Sequence, residues 1–216
     1  ELEAAQWLPP TAIAERQRAA LAPLLAHHAR QSGHFARRLA AAAVAAARAA
    51  TPEGFLRLGL LTRRPLQNEE DFPARAVPAD HLPLARITTS GSTGEPVACL
   101  RTARNRLDWL AITLLDHRWH RRDFAGRLAV IRAHVPRLTA MRDWGPPASL
   151  LHATGPAFIL PIELSLDEQA ALLRDFRPQS LLLYPSLLDA LLAGDALAGV
   201  REIRTFGEAV PEGLRA

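Results

Sequence analysis

From about Thr11 to Arg30, Ile13, Leu21, Leu24 and Leu25 recur at the spacing of one helix face. Pro23 falls inside that stretch and is expected to kink or divide it. Ser32-Gly33 closes this helix, and a second is expected from Phe35 to Ala50, with Arg37, Arg38 and Arg48 on its polar side. The pattern then changes. Asn68 to Ala85 is acidic and afterwards dotted with Pro73, Pro78 and Pro83, which predicts an ordered connector without regular structure. Beyond it, short apolar runs alternate with helical ones. Strands are expected at Val97–Leu100, Arg127–Ile131, Phe158–Ile162, Ser180–Tyr184 and Glu202–Thr205, and helices at Arg104–Trp119, Asp167–Phe176 and Ser186–Leu192. Such alternation predicts an α/β fold with a mixed, at least partly parallel sheet. The chain thus divides into an N-terminal helical segment and connector over 1–85 and an α/β portion over 86–216.

Composition narrows the function classes. With 49% apolar and 22% charged residues, 216 residues can bury a good-sized core. All 26 basic residues are Arg, which inflates the pI of 10.7, and a net charge of +4 is mild for this length. Cys99, the one cysteine, cannot form an internal disulfide; its apolar surroundings predict a buried, inert thiol in a reducing cytoplasm. No apolar run approaches membrane-spanning length, the Ala-rich stretch being broken at Arg48, so no membrane association is expected. Glu1-Leu2-Glu3 lacks an initiator Met and any signal-peptide pattern, so this end is expected to be trimmed.

The densest chemistry lies between Thr88 and Gly94, where hydroxyl side chains crowd around Gly91 and Gly94. Glycine admits positive φ and lets backbone N–H groups turn inward, and Ser and Thr add short donors, so such a loop can line an anion site. A hairpin turn or flexible connector has the same composition. With no lysine in the chain there is no Gly-Lys-[Ser/Thr], and a Walker-type phosphate loop is excluded.

Thr89-Ser90-Gly91-Ser92-Thr93-Gly94-Glu95-Pro96 resembles the phosphate-binding signature T-S-G-[ST]-T-G-x-P of the adenylate-forming enzymes, the acyl- and aryl-CoA synthetases and their relatives. Many members carry Lys beside the Pro, where this chain has Glu95 and Val97. Phe35-Ala36-Arg37-Arg38-Leu39 and Leu60 to Leu66 look like the opening of the phenylacetate-CoA ligase branch, whose relatives also act on deazaflavin coenzymes. Two further stretches fit. Tyr184-Pro185-Ser186 is similar to the family's x-Pro-[Ser/Thr] turn near the acyl side, and Phe206-Gly207-Glu208-Ala209 to its Gly-Glu-Pro segment beside adenine, with Ala209 in place of that Pro. Read without the family, Ser186 and Asp189 make a helix-capping pair and Gly207 sits in an ordinary turn.

The resemblance implies an AMP-forming ligase joining a small-molecule carboxylic acid to a thiol, with ATP, Mg2+ and coenzyme A as cofactors. Thr89, Ser90, Gly91, Ser92, Thr93 and Gly94 would hold the phosphates, Gly207, Glu208 and Ala209 the adenine, and Tyr184 and Pro185 the acid; no catalytic residue or metal ligand is assigned. The family's later Tyr-Gly-x-Thr-Glu motif does not follow Glu208, so the α/β portion is expected to be a nucleotide-binding part truncated at its C-terminal end, inactive by itself.

An alternative is a non-catalytic α/β interaction domain touching nucleic acid through Arg118, Arg121 and Arg122. That basic run also suits a solvated helix end. His27 and His28 are adjacent and point to different helix sides, so they cannot share a metal, and His117 and His120 lack a partner at metal-ligand spacing.

Overall fold

The computed structural model describes residues 2–68, 70–88 and 96–214, which form two compact units, Glu1–Leu115 and Asp116–Ala216. The first opens with α1 (Leu2–Ala5), α2 (Pro10–Gln31), α3 (Gly33–Ala41), α4 (Ala46–Ala49), α5 (Pro52–Leu56) and α6 (Arg63–Asn68). Pro23 lies inside α2 without dividing it. The second helix does not run through to Ala50. Ala43 takes φ 49°, Val44 N–H returns to the Leu39 carbonyl at 3.0 Å, and the Val44 side chain turns into a core with Leu25, Leu39, Ala49 and Ala50. A left-handed residue closing a helix satisfies its last carbonyls. Ser32 does more than end α2: its hydroxyl accepts from Phe35 N–H at 3.2 Å, capping α3, and donates to the Phe72 carbonyl at 2.7 Å.

The connector, expected to lack regular structure, carries some. It contains a 3-10 turn, Ala79–His81, and runs into β1 (Leu84–Thr88), antiparallel to β2 (Ala98–Thr102), with Thr88 opposite Ala98. Every β1 residue is exposed, and Cys99 is exposed rather than buried, because this two-stranded ribbon offers no buried face at that position. Helix α7 (Ala103–Trp119) follows. Among the described residues no helix is long and apolar enough to cross a membrane.

The second unit is α/β. It contains β3 (Leu128–Arg132), β4 (Thr139–Met141), α8 (Ala148–Leu151), β5 (Ala157–Pro161), α9 (Leu166–Phe176), β6 (Ser180–Leu183), α10 (Pro185–Leu192) and β7 (Glu202–Thr205). The sheet order is β4-β5-β3-β6-β7, parallel except for the antiparallel β4 edge. Successive side chains of β3 serve opposite faces. Ala129 and Ile131 join Leu160, Leu181, Leu183, Leu173, Leu188 and Leu191 in the main core, whereas Leu128 packs with Trp144, Ala148 and Ala157. At roughly 1.5 to 3 kcal/mol for each fully buried large apolar side chain, these two layers fix the register of the strands. Ser165 and Glu168 form a reciprocal capping box at the start of α9, setting where the chain enters that helix.

Candidate active site

In an open parallel sheet the loops leaving the carboxyl ends of the strands share one edge, where ligands bind. Leu183 lies opposite Thr205, so the residues that follow β6 and β7 meet there. The Tyr184 and Phe206 rings meet at a tilt of 38° with centroids 4.5 Å apart, and Phe206 N–H donates to the Leu183 carbonyl at 3.2 Å. Gly207 takes φ 80°, and a Cβ at this residue would stand 2.9 Å from Tyr184 Cε1. Only glycine lets the backbone lie this close to the ring. The phenol reaches the third strand end, accepting from Ala133 N–H at 3.3 Å.

Glu208 ties the two loops together. Its carboxylate accepts from Ser186 N–H at 3.0 Å and from the Ser186 hydroxyl at 3.1 Å. Ser186 is therefore not a helix cap paired with Asp189; Tyr184 occupies the N-cap position of α10, without a side-chain cap bond, and Ser186 faces Glu208. A carboxylate at the first turn of a helix is favoured by the exposed N–H groups there. Of the residues singled out by sequence in these loops, Gly207, Glu208 and Ala209 are exposed and Tyr184 is half-buried, while the Pro185 ring is enclosed beneath them.

Past β3 and β5 lies a hollow that no motif pointed to. His134, Val135, Pro136, Arg137, Leu138, Pro161, Glu163 and Leu164 line a cavity of about 740 Å³, within the range of small-molecule sites. Its walls are mainly apolar, with His134, Arg137 and Glu163 as ionisable groups. His134 holds φ 61°, uncommon for a residue with a Cβ, one position after the Ala133 N–H that meets Tyr184. A search for ligands at every carboxyl strand end is the signal that would have found this loop.

Thr89, Ser90, Gly91, Ser92, Thr93 and Gly94 lie outside the described residues. What the structure gives is their frame: the stretch joins two antiparallel strands and is followed by Val97, which is buried.

The basic run after α7 is not a solvated helix end throughout. Arg122 has a side chain only 3% exposed, paired with Asp116 at 2.6 Å and Glu202 at 2.7 Å. Its guanidinium also donates to His117 Nδ1 at 3.0 Å, so that nitrogen accepts and the ring is neutral. Burial, reinforced by Arg204 and Arg122, pushes the His117 pKa down to about 4. Arg122 is thus committed to the fold and is no open phosphate contact. Among the described residues no group of three or more His, Cys, Asp or Glu comes together as a metal site.

The solved structure of 2-hydroxyisobutyryl-CoA ligase in complex with 2-HIB-AMP and CoA, in its thioesterification state, is similar to this chain with a TM-score of 0.63 and 17% sequence identity. The match covers 93% of this chain and 44% of that ligase. The chain therefore has the fold of a portion of a CoA ligase, spanning less than half of that protein's length. No family model and no curated protein matches the sequence.

Proposed function

We propose that this chain is the ATP- and AMP-binding part of an AMP-forming ligase that adenylates a carboxylic acid and passes it to a thiol, with coenzyme A as the acceptor, in the manner of the phenylacetate-CoA ligase branch. The observation carrying this reading is the gathering of Tyr184, Ser186, Gly207 and Glu208 at the carboxyl edge of the sheet. The fold shared with a ligase solved with an AMP adduct and CoA supports it.

On this reading the Phe206 to Ala209 backbone, its Glu208 carboxylate held by Ser186, orients the adenine beside the Tyr184 ring. The acid lies against Tyr184 and Pro185 and reaches the hollow past β3 and β5, where apolar walls favour an aryl or alkyl acid and Arg137 offers its carboxylate a cation. Its oxygen then attacks the α phosphorus, forming the new O–P bond as the bond to pyrophosphate breaks. Thr89 to Gly94, on the resemblance of their sequence to the phosphate-binding signature, are assigned the charge that develops on the leaving pyrophosphate, which backbone N–H groups and hydroxyls can stabilise. Magnesium would neutralise phosphate charge in such a reaction. The described residues bring no ligand set together for it, and Glu208 is already engaged by Ser186, so no metal ligand is assigned to this chain.

Calorimetric titration with ATP, with and without Mg2+, tests the proposal on the wild type and on a Gly91→Ala/Gly94→Ala pair. Saturable binding weakened at least about tenfold in the pair is expected, the size of one lost charge-assisted hydrogen bond. Equal affinity in both proteins, or none in the wild type, would overturn it. The 216-residue chain alone is expected to release no pyrophosphate with any acid.

A further inference from the structure

The opposite end of the same sheet carries a second concentration of charge that the ligase reading does not use. Arg127 leads into β3, Arg174 sits in the last turn of α9, and Arg177 closes that helix. Together with Asp175 and Phe176 they line a hollow of about 350 Å³ at the amino-terminal side of the strands. That volume is at the small end of ligand sites.

Two features set this cluster apart from a solvated helix end. First, Arg127 is held in place from a different element. Its Nε donates to the Arg177 carbonyl at 2.8 Å and its backbone N–H to Gln179 Oε1 at 2.7 Å, while Gln179 Nε2 donates to the same Arg177 carbonyl at 3.2 Å. Second, Arg177 takes φ 50° and ψ 62°, the left-handed helix-closing position where glycine is the usual residue and a side chain is strained. The last carbonyls of α9 would draw one cation without any ligand, and Arg174 already meets that need. Three arginines line one hollow against a single lining carboxylate, Asp175, while Asp195 pairs with Arg174 at 3.1 Å, so the lining carries an excess of positive charge. Among the described residues the terminal nitrogens of Arg127 and the guanidinium of Arg177 have no hydrogen-bond partner.

We propose that this hollow is a second anion site, taking the phosphate group of a small molecule between Arg127, Arg174 and Arg177. Guanidinium forks match phosphate oxygens in pairs, and a di-anion would balance the excess positive charge of the lining.

Pyrophosphate is the probe, titrated calorimetrically at low ionic strength into the Gly91→Ala/Gly94→Ala protein, in which the loop of the proposed ATP site is disabled. Binding is expected to persist there and to weaken at least about tenfold on adding Arg127→Gln and Arg177→Gly. Arg177→Gly relieves the left-handed strain, so the melting temperature is expected to hold or rise, and lost binding is then not lost folding. Absence of binding in the loop-disabled protein, or binding unchanged by the two arginine substitutions, overturns the site. Failure of the ATP proposal reads differently: the loop pair would leave ATP affinity unaltered while the arginine substitutions still removed pyrophosphate.

Discussion

Replacing Gly207 by Ala adds one methyl group at the point where two loops close against each other. The new carbon would stand 2.9 Å from Tyr184 Cε1 and 3.1 Å from Cδ1, well inside the roughly 3.5 Å at which carbon atoms pack. The φ of 80° costs an L-residue about 1 to 2 kcal/mol by itself. Tyr184 cannot withdraw freely, because its ring packs at a tilt against Phe206 and its hydroxyl accepts from Ala133 N–H. Weakening the ring contact costs about 0.5 to 1.5 kcal/mol and losing the long hydrogen bond about 0.5 to 1 kcal/mol. A total of about 2 to 4.5 kcal/mol follows if the ring must move. In urea unfolding followed by circular dichroism, with a slope of about 2 kcal/mol per molar, the midpoint should fall by about 1 to 2 M. Gly194→Ala is the matched control: its φ is not left-handed and nothing lies within 4 Å of the added carbon, so its stability should stay within about 0.5 kcal/mol of wild type, a midpoint shift of at most about 0.25 M. A Gly207→Ala protein as stable as the Gly194→Ala control would refute this description of the loop.

The buried charges near the end of α7 give two more expectations. Arg122→Met strips Asp116 and Glu202 of their shared cation; since both acids retain some exposure, the cost should fall near or below the lower end of the range for broken buried pairs, about 2 to 3 kcal/mol in urea unfolding. No measurable loss would show that the pairs are incidental. His117 binds its proton more weakly in the folded protein, at about 4, than at its ordinary 6.5. Between those values the unfolded chain takes up a proton that the folded chain refuses, so stability falls as pH drops through that window, by about 3 kcal/mol in all. His117→Phe should remove that component of the slope, and an unchanged pH profile would contradict the assignment.

The α/β half of the chain was legible because its strands carry apolar side chains bounded by helices with clear apolar faces; β7 falls at Glu202–Thr205 as the pattern predicts. The exposed strands were not. All of β1 and most of β4 face solvent, so neither shows the alternation that a buried face imposes. The Ala-rich helix reads as continuous because alanine favours helix throughout, and what interrupts it is Val44 turning into a core shared with Leu25 of α2. At the site, the motifs located Tyr184, Gly207 and Glu208, but their joining depends on the pairing of Leu183 with Thr205. The Ser186–Glu208 contact is therefore a product of tertiary register, as is the cavity bounded by His134 and Arg137, which no residue pattern marks.

Photolabelling with azido-ATP followed by peptide mapping bears most directly on whether the carboxyl edge of this sheet holds a nucleotide base. The ligase reading predicts saturable labelling within Tyr184–Ser186 or Phe206–Ala209, suppressed by excess AMP and reduced in Gly207→Ala. Labelling confined to other peptides, or unaffected by AMP, would contradict it.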